Sequence, residues 1–322
     1  GGSVQITSGD SAADGDDIVG VDGTVYINQN PDSLGAGPHE VTASASGYLD
    51  EVDDTQTISS NAQTLYTLNL EFPFVISAND ELGYPLTLTT SDTLSGLTNV
   101  ETLADSGDLY WAVTGGPAAI SLHVDGYVDS TTDLSTYQYD STGAQTDINF
   151  QPAGQGDPLQ YGFLVSASEE VDSAAITLDS GNSILTEGGN ITVDVSRYSA
   201  GNIYVAGTTS AADTFDLAVD GFITQTSASV EYNASTQQAV TFADMLYSLK
   251  VVVNDEISNP ISGCTITHDG LSPSKTNAGA NSNEYYFAAT SNAALSVSKT
   301  GFVTIDNTTD SELGAIAVGT AD

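Results

Sequence analysis

The chain has 322 residues and a formal net charge of −39, with 43 acidic residues against only 4 lysines and arginines. Nucleic acids and anionic lipid surfaces are bound through basic patches, so this charge excludes both as expected partners. No apolar run approaches the roughly 18 residues of a membrane span, and we expect no membrane insertion. A single cysteine excludes an internal disulfide framework.

Short alternating apolar runs bounded by turn residues recur along the whole chain, which is typical of β-strands. In chain order, the predicted strands that open a repeat fall at 72–83, 161–172 and 248–259, and those that close one fall at 64–70, 145–150, 237–242 and 313–318. Second strands are predicted at 85–92, 174–181 and 263–270. No stretch has sustained helical periodicity with caps, so we predict an all-β chain.

A glycine followed by an aromatic residue sets the register of the repeats, because each such pair follows an alternating strand. We call these pairs the Gly-aromatic steps: Gly47-Tyr48, Gly126-Tyr127, Gly221-Phe222 and Gly301-Phe302. The steps lie about 80 to 95 residues apart, which suits small sandwich domains better than solenoid units. Their aromatic residues, together with Trp111, are predicted to pack inside the sandwiches.

We therefore predict an all-β fold of four tandem immunoglobulin-like or transthyretin-like β-sandwich domains. The predicted domains, called repeats 1 to 4 below, span 1–70, 71–157, 158–245 and 246–322. Repeat 1 opens with VQITSGD (4–10), whose distance from Gly47 matches the second strand of repeat 2. The first strand of repeat 1 is thus predicted to be missing, which would expose an unpaired edge.

The segments NPISGCTI (259–266) and YYF (285–287), with the Gly-aromatic steps, carry a family resemblance. The pattern resembles the carboxypeptidase regulatory-like domain, a transthyretin-like sandwich close to PEGA and other immunoglobulin-like surface modules. That resemblance implies a non-catalytic, extracellular sandwich.

We find no catalytic constellation in the sequence. Of the three histidines, His123 and His268 fall in strand patterns, where we expect edge or surface positions. No nucleophile elbow, zinc-binding His-Glu-x-x-His or phosphate-binding glycine loop is present, so we predict that the chain is not an enzyme and needs no organic cofactor.

Acidic turns follow the first strands of three repeats and make calcium the one candidate ion. The candidate ligands are Asp80, Glu81, Glu169, Glu170, Asp255 and Glu256. Calcium prefers six to eight hard oxygen ligands, which such loops could supply. Solvated acidic turns without a metal are the alternative interpretation.

Three Asn-x-Ser/Thr sequons, at Asn190, Asn233 and Asn307, make glycans a candidate modification. Their number is close to chance in a chain this rich in Asn, Ser and Thr.

These features favour a secreted structural protein whose signal peptide was removed before Gly1. The preferred function is the subunit of an extracellular filament or surface appendage. Such a subunit would assemble with itself head to tail, with strand complementation of repeat 1 as one route. A cell-surface adhesin or carbohydrate-binding stalk, and an S-layer subunit, are the alternatives.

Overall fold

A computed structural model describes residues 3–8, 11–12, 17–19, 25–27, 38–57, 67, 69–95, 99–113, 119–133, 139–186, 188–276, 282–291 and 294–306. Before Val41, between 53 and 57 and at a few other strand positions it describes the backbone only. The predicted strand at 313–318, most of the one at 64–70, and the sequon Asn307 lie outside these residues.

The described residues form strands and turns with no helix, so the all-β prediction is confirmed. Correspondingly, none of the segments described here is a helix with the length and hydropathy to cross a membrane. The chain divides into two compact units, Gly1–Val124 with Asp129–Gln160, and Asp125–Val128 with Tyr161–Asp322. The finer division into four domains stays a prediction.

Repeat 1 contains one four-stranded sheet and one hairpin in the described residues. Its strands are β1 (Ser3–Ser8), β2 (Ser11–Ala12), β3 (Asp17–Val19), β4 (Val25–Ile27), β5 (Pro38–Ser44) and β6 (Glu51–Thr57). The sheet has the order β2-β1-β5-β6, and β3 pairs only with β4 among the described residues.

Repeat 2 contains two sheets, one of four strands and one of three. Its strands are β7 (Phe74–Ala78), β8 (Thr93–Ser95), β9 (Asn99–Asp105), β10 (Asp108–Val113), β11 (Ala119–His123), β12 (Ser130–Asp133) and β13 (Thr146–Phe150). The orders are β13-β7-β10-β9 and β12-β11-β8, and the closing strand β13 lies parallel to β7. Alternate residues of β7, β10 and β11 are buried, as expected where one face of a sheet covers a core.

Repeat 3 has the same plan as repeat 2. Its strands are β14 (Phe163–Glu169), β15 (Ala175–Ile176), β16 (Ser183–Thr186), β17 (Ile191–Ser199), β18 (Asn202–Thr209), β19 (Phe215–Ala218), β20 (Gln225–Thr226) and β21 (Gln238–Met245). One sheet has the order β15-β14-β18-β17 with β21 parallel to β14, and the other has the order β16-β19-β20. One core joins the two sheets, and in it the rings of Phe163 and Phe215 lie 5.2 Å apart.

Repeat 4 is smaller in the part that the structure describes. Its strands are β22 (Leu249–Val252), β23 (Thr265–His268), β24 (Lys275–Thr276), β25 (Glu284–Phe287), β26 (Leu295–Ser298) and β27 (Ile305–Asp306). The sheets have the orders β22-β25-β24 and β23-β26-β27, and Tyr285, Phe287, Ile266 and Leu295 form the core between them.

One prediction about an individual element is wrong, and another holds in part. Residues 85–92 form a turn and an irregular segment rather than a strand, and the strand of that region is β8. His268 lies in the edge strand β23, as predicted, but its side chain is buried and its ring packs against that of Phe287. Trp111 is buried as predicted.

The contact between Phe163 and Phe215 predicts a large stability difference between two substitutions in unit 2. Phe163 is fully buried, so Phe163→Ala should lower the free energy of unfolding by about 3–5 kcal/mol through lost burial and the cavity left behind. Leu185 is 61% exposed, so Leu185→Ala should change it by no more than about 0.5 kcal/mol. Urea unfolding measures both, and equal effects would contradict the core assignment.

Candidate functional site: an aromatic cluster on the Gly-aromatic steps

Each Gly-aromatic step is a tight turn that ends a strand. The glycines have positive φ angles, from 81° at Gly221 to 93° at Gly47, a region that side chains with a Cβ rarely adopt. The backbone N–H of the aromatic residue closes the turn by donating to the carbonyl three residues earlier, at 3.1 Å for Tyr48 and 3.0 Å for Phe222. The turn therefore aims the aromatic side chain away from its own strand.

In unit 1, the first step packs on the segment that enters repeat 2. The ring of Tyr48 lies 5.1 Å from that of Phe72, which in turn lies 5.9 Å from that of Tyr110 in β10. The carbonyl of Gly47 accepts the N–H of Val113 at 3.2 Å, and the N–H of Leu49 donates to the carbonyl of Glu71 at 2.9 Å. Rings and backbone thus join repeats 1 and 2 together.

The same cluster recurs within unit 2, to which Asp125–Val128 belongs. The ring of Tyr127 lies 5.2 Å from that of Tyr161, and Tyr161 lies 5.7 Å from Tyr204 in β18. The carbonyl of Gly126 accepts the N–H of Gly162 at 2.8 Å. A Cβ on Gly126 would lie 2.6 Å from the nitrogen of Gly207, so only glycine permits this close approach.

A third cluster joins repeats 3 and 4. The ring of Phe222 lies 4.7 Å from that of Tyr247, and Tyr247 lies 5.7 Å from Tyr286 in β25. The N–H of Ser248 donates to the carbonyl of Gly221 at 3.0 Å. A Cβ on Gly221 would lie 2.6 Å from the Cβ of Ala288, so this glycine is also required by close packing.

The fourth step has the same turn but nothing packed on it among the described residues. The N–H of Phe302 donates to the carbonyl of Lys299 at 3.0 Å, as in the other turns. Phe302 is nevertheless 54% exposed and Val303 88% exposed, and a Cβ on Gly301 would meet nothing within 4 Å. The prediction that Phe302 packs inside its sandwich is wrong. By contrast, Tyr127 is buried, and Phe222 is half-buried against the core of repeat 3. Tyr48 is half-buried in the first cluster.

An ion pair between the partly exposed Lys275 and the buried Glu169 reinforces the third cluster. The Lys275 ammonium lies 2.7 Å from Oε1 of Glu169 and 2.7 Å from Oδ2 of Asp172. The hydroxyl of Tyr247 donates to Oε2 of Glu169, and the N–H of Tyr247 donates to Oε1 of Glu170 at 3.0 Å. Burial, followed by the hydrogen bond to Glu169, raises the pKa of Tyr247. Two of the predicted calcium ligands therefore bind the next repeat.

Two other predicted calcium ligands, Asp80 and Asp255, stabilise identical turns. Oδ1 of Asp80 accepts the N–H groups of Leu82 and Tyr84 at 3.0 and 2.8 Å. Oδ1 of Asp255 accepts those of Ile257 and Asn259 at 3.0 and 2.8 Å. These bonds lower the pKa of Asp255, with the hydrogen bond from the Asn259 side chain as the largest cause.

The remaining candidates, Glu81 and Glu256, are half-buried and exposed respectively. Across the side chains that are described, no three His, Cys, Asp or Glu residues are grouped so as to hold a metal ion. Calcium binding stays a prediction.

Of the two described sequons, Asn233 is the more accessible. Asn233 is exposed, and its Oδ1 accepts the N–H of Ser235 at 2.8 Å. Asn190 is half-buried, and its backbone N–H is bound to Oδ2 of Asp213. Glycosylation itself stays a prediction.

The Gly-aromatic steps can be recognised in the sequence, but the rings on which they pack were not predicted. Phe72, Tyr161 and Tyr247 each lie two residues before the first buried or half-buried apolar residue of an opening strand. This two-residue spacing recurs in three opening segments, and it is the sequence signal that could have predicted the receiving rings.

Comparison of the chain with family models, with curated proteins and with solved structures gave no match. The resemblance to the carboxypeptidase regulatory-like domain therefore stays a prediction.

The third cluster predicts energetic coupling between its rings. Phe222→Ala and Tyr247→Ala together should lower the free energy of unfolding by less than the sum of their separate effects, with a coupling of about 0.5–1.5 kcal/mol from ring contact. Urea unfolding of the four proteins measures this coupling. Phe222→Ala combined with Leu185→Ala is the control and should be additive. Additive effects in both pairs would mean that the rings of Phe222 and Tyr247 contribute independently.

The ion pair of Lys275 predicts a pH dependence of the stability of unit 2. Hydrogen bonds with the Glu169 carboxyl and then with the Lys275 ammonium lower the pKa of Asp172 to about 2. A lowered pKa contributes stability above the ordinary value of 3.8 that is lost as the pH falls towards 2. Lys275→Met should therefore lower the melting temperature at pH 7 but have little effect at pH 2.

Lys299→Met is the matched control, because Lys299 donates to the carbonyl of Ser262 rather than to a carboxylate. Its effect should not disappear in acid. If Lys275→Met were equally destabilising at both pH values, the carboxylate contacts would not be the source of its effect.

Proposed function

We propose that the protein is a non-catalytic structural subunit of an extracellular filament or surface appendage, built from tandem β-sandwich repeats. The single observation that supports this most is the repeated use of one contact. Repeats 1 and 2 in unit 1, and repeats 3 and 4 in unit 2, are joined by a ring cluster of the same composition, with the step ring 5.1 and 4.7 Å from its partner. A chain that joins modules by one fixed contact suits a load-bearing or spacing role.

The linkers between the repeats support stiff joints rather than flexible tethers. In unit 2, Tyr247 lies two residues after the end of β21 and two residues before the start of β22. Its ring, its N–H and its hydroxyl are all bound. Gly/Ser-rich linkers behave as flexible coils, whereas Tyr247 in this linker is held by its ring, its N–H and its hydroxyl.

The charge of the chain supports an extracellular location at substantial ionic strength. A net charge of −39 repels other copies, and salt screens that repulsion over a Debye length of about 8–10 Å near physiological ionic strength. Self-assembly, if driven by apolar and backbone contacts, should therefore strengthen as salt is added.

Electron microscopy of the purified full chain tests this function. We expect filaments one or a few subunits wide, with more of the chain assembled at 1–2 M NaCl than at low salt, as measured by pelleting. A monodisperse monomer at every salt and protein concentration would contradict the filament and leave the adhesin as the better hypothesis.

A further inference from the structure

We infer that Asn233 is a modification site that carries an N-linked oligosaccharide on Nδ2 of its side chain, and that Asn190 carries none. The inference uses the extracellular location in the proposed function and is independent of filament assembly. The structure holds these two sequons in opposite ways.

Asn233 begins an exposed turn in which both groups that define a sequon are accessible. The N–H of Thr236 donates to the carbonyl of Asn233 at 3.2 Å, and the N–H of Ser235 donates to Oδ1 of Asn233 at 2.8 Å. Asn233 and Ser235 are both exposed. Neither Nδ2 of Asn233 nor the hydroxyl of Ser235 has a hydrogen-bond partner among the described residues. A transferase can therefore reach the carboxamide and the hydroxyl together.

The residue before Asn233 fixes the turn in place. The N–H of Tyr232 donates to Oγ1 of Thr209 at 2.9 Å, and its hydroxyl donates to the carbonyl of Tyr127 in the second cluster. The ring of Tyr232 packs on the core of repeat 3, with its centroid 6.5 Å from that of Phe163. An oligosaccharide on Asn233 thus adds a bulky, hydrated group at a fixed point beside the second cluster.

Asn190 is held by the sheet instead of by an exposed turn. Its N–H donates to Oδ2 of Asp213 at 2.9 Å, and its carbonyl accepts the N–H of Ser210 at 2.9 Å. Ile191, the middle residue of this sequon, is 4% exposed in the core, and Thr192 is paired with β18. A transferase that enclosed this sequon would have to displace a core residue and a sheet strand, so the fold protects Asn190.

The modification is a group transfer, and its donor is an oligosaccharide linked to a lipid phosphate. Nδ2 of Asn233 forms a bond to the anomeric carbon of the first sugar, and the bond from that carbon to the phosphate oxygen breaks. Nδ2 gives up one proton to a base of the transferase, the phosphate leaves with the electron pair of the broken bond, and nothing is oxidised or reduced. The product keeps the amide carbonyl, so Oδ1 can still accept the N–H of Ser235.

The same turn occurs elsewhere in the chain with an aspartate in place of Asn233. The N–H of Gly143 donates to the carbonyl of Asp140 at 3.0 Å, and the N–H of Thr142 donates to Oδ1 of Asp140 at 3.0 Å. Asp140 is exposed, as Asn233 is. Either side chain therefore builds the turn through Oδ1, and the group that Asn233 adds is Nδ2.

Intact-mass spectrometry of the secreted full chain tests the inference. The chain is produced in a secretory cell in which a co-expressed glycoprotein receives its N-glycan. Ser235→Ala and Thr192→Ala form a matched pair, because each removes a sequon hydroxyl and keeps its asparagine. Ser235→Ala should lose the mass of one oligosaccharide, whereas Thr192→Ala should keep the glycan mass of the original chain.

Asp140→Asn tests whether the exposed turn is sufficient, because it creates the sequence Asn-Ser-Thr in the equivalent turn. This variant should gain the mass of one oligosaccharide. An unchanged glycan mass would overturn the turn as the feature that exposes the amide.

The inference is overturned if Ser235→Ala keeps the full glycan mass, if Thr192→Ala loses part of it, or if the original chain has no glycan while the co-expressed protein has one. If the melting curve shows that Ser235→Ala is unfolded, Asn233→Asp replaces it, since Asp140 shows that an aspartate builds this turn. Filaments formed by a chain without a glycan at Asn233 would overturn this inference and leave the proposed function standing. A chain with a glycan at Asn233 that never polymerises would do the reverse.

Discussion

The structure depends on the contact of an aromatic ring with an incoming strand across a glycine. The glycine is required twice, because its φ angle is positive and because a Cβ at Gly126 or Gly221 would overlap the neighbouring backbone or side chain. With the Cβ absent, the glycine carbonyl reaches the N–H of the incoming segment, and the ring packs on the aromatic residue of that segment. Apolar contact and backbone hydrogen bonds therefore act together at one point.

Such a contact suits a chain with almost no positive charge. Only 4 lysines and arginines face 43 acidic residues, so ion pairs cannot join the repeats in general. Among the described residues, Lys275 is an exception, because its ammonium contacts the carboxylates of Glu169 and Asp172 beside the third cluster. Unpaired, the buried carboxylate of Glu169 would destabilise that junction, because a charge removed from water needs a partner. Elsewhere the negative charge keeps the surface hydrated and opposes indiscriminate association.

The sequence predicts the all-β fold because strand alternation and turn residues are local signals. Opening strands such as β7 and β14, and the closing strands β13 and β21, lie where the alternation indicates. The partners of the steps are not local. Tyr48 and Phe72 are far apart in sequence. The local pattern of either segment does not indicate which residue its ring contacts.

The same limit applies at two places in the site. The acidic turns indicate oxygen ligands, but whether a carboxylate binds a metal or a backbone N–H depends on the turn geometry, which at Asp80 and Asp255 directs Oδ1 to two N–H groups. The sequence predicts Phe302 inside a sandwich because it follows a glycine and an alternating strand, as Phe222 does. At the other three steps the ring packs on an aromatic residue of the following repeat, and no periodicity within a repeat carries that information.

Hydrogen–deuterium exchange of the full chain and of its Gly221→Ala variant tests the central claim most directly. A Cβ at position 221 would lie 2.6 Å from the Cβ of Ala288, so the ring contact across this glycine predicts faster exchange of the amides around Tyr247 in the variant. The amides around Phe72 and Tyr110, which belong to the cluster of unit 1, should exchange equally in both proteins. Unchanged exchange around Tyr247 would contradict the claim that the contact of the rings depends on the glycine.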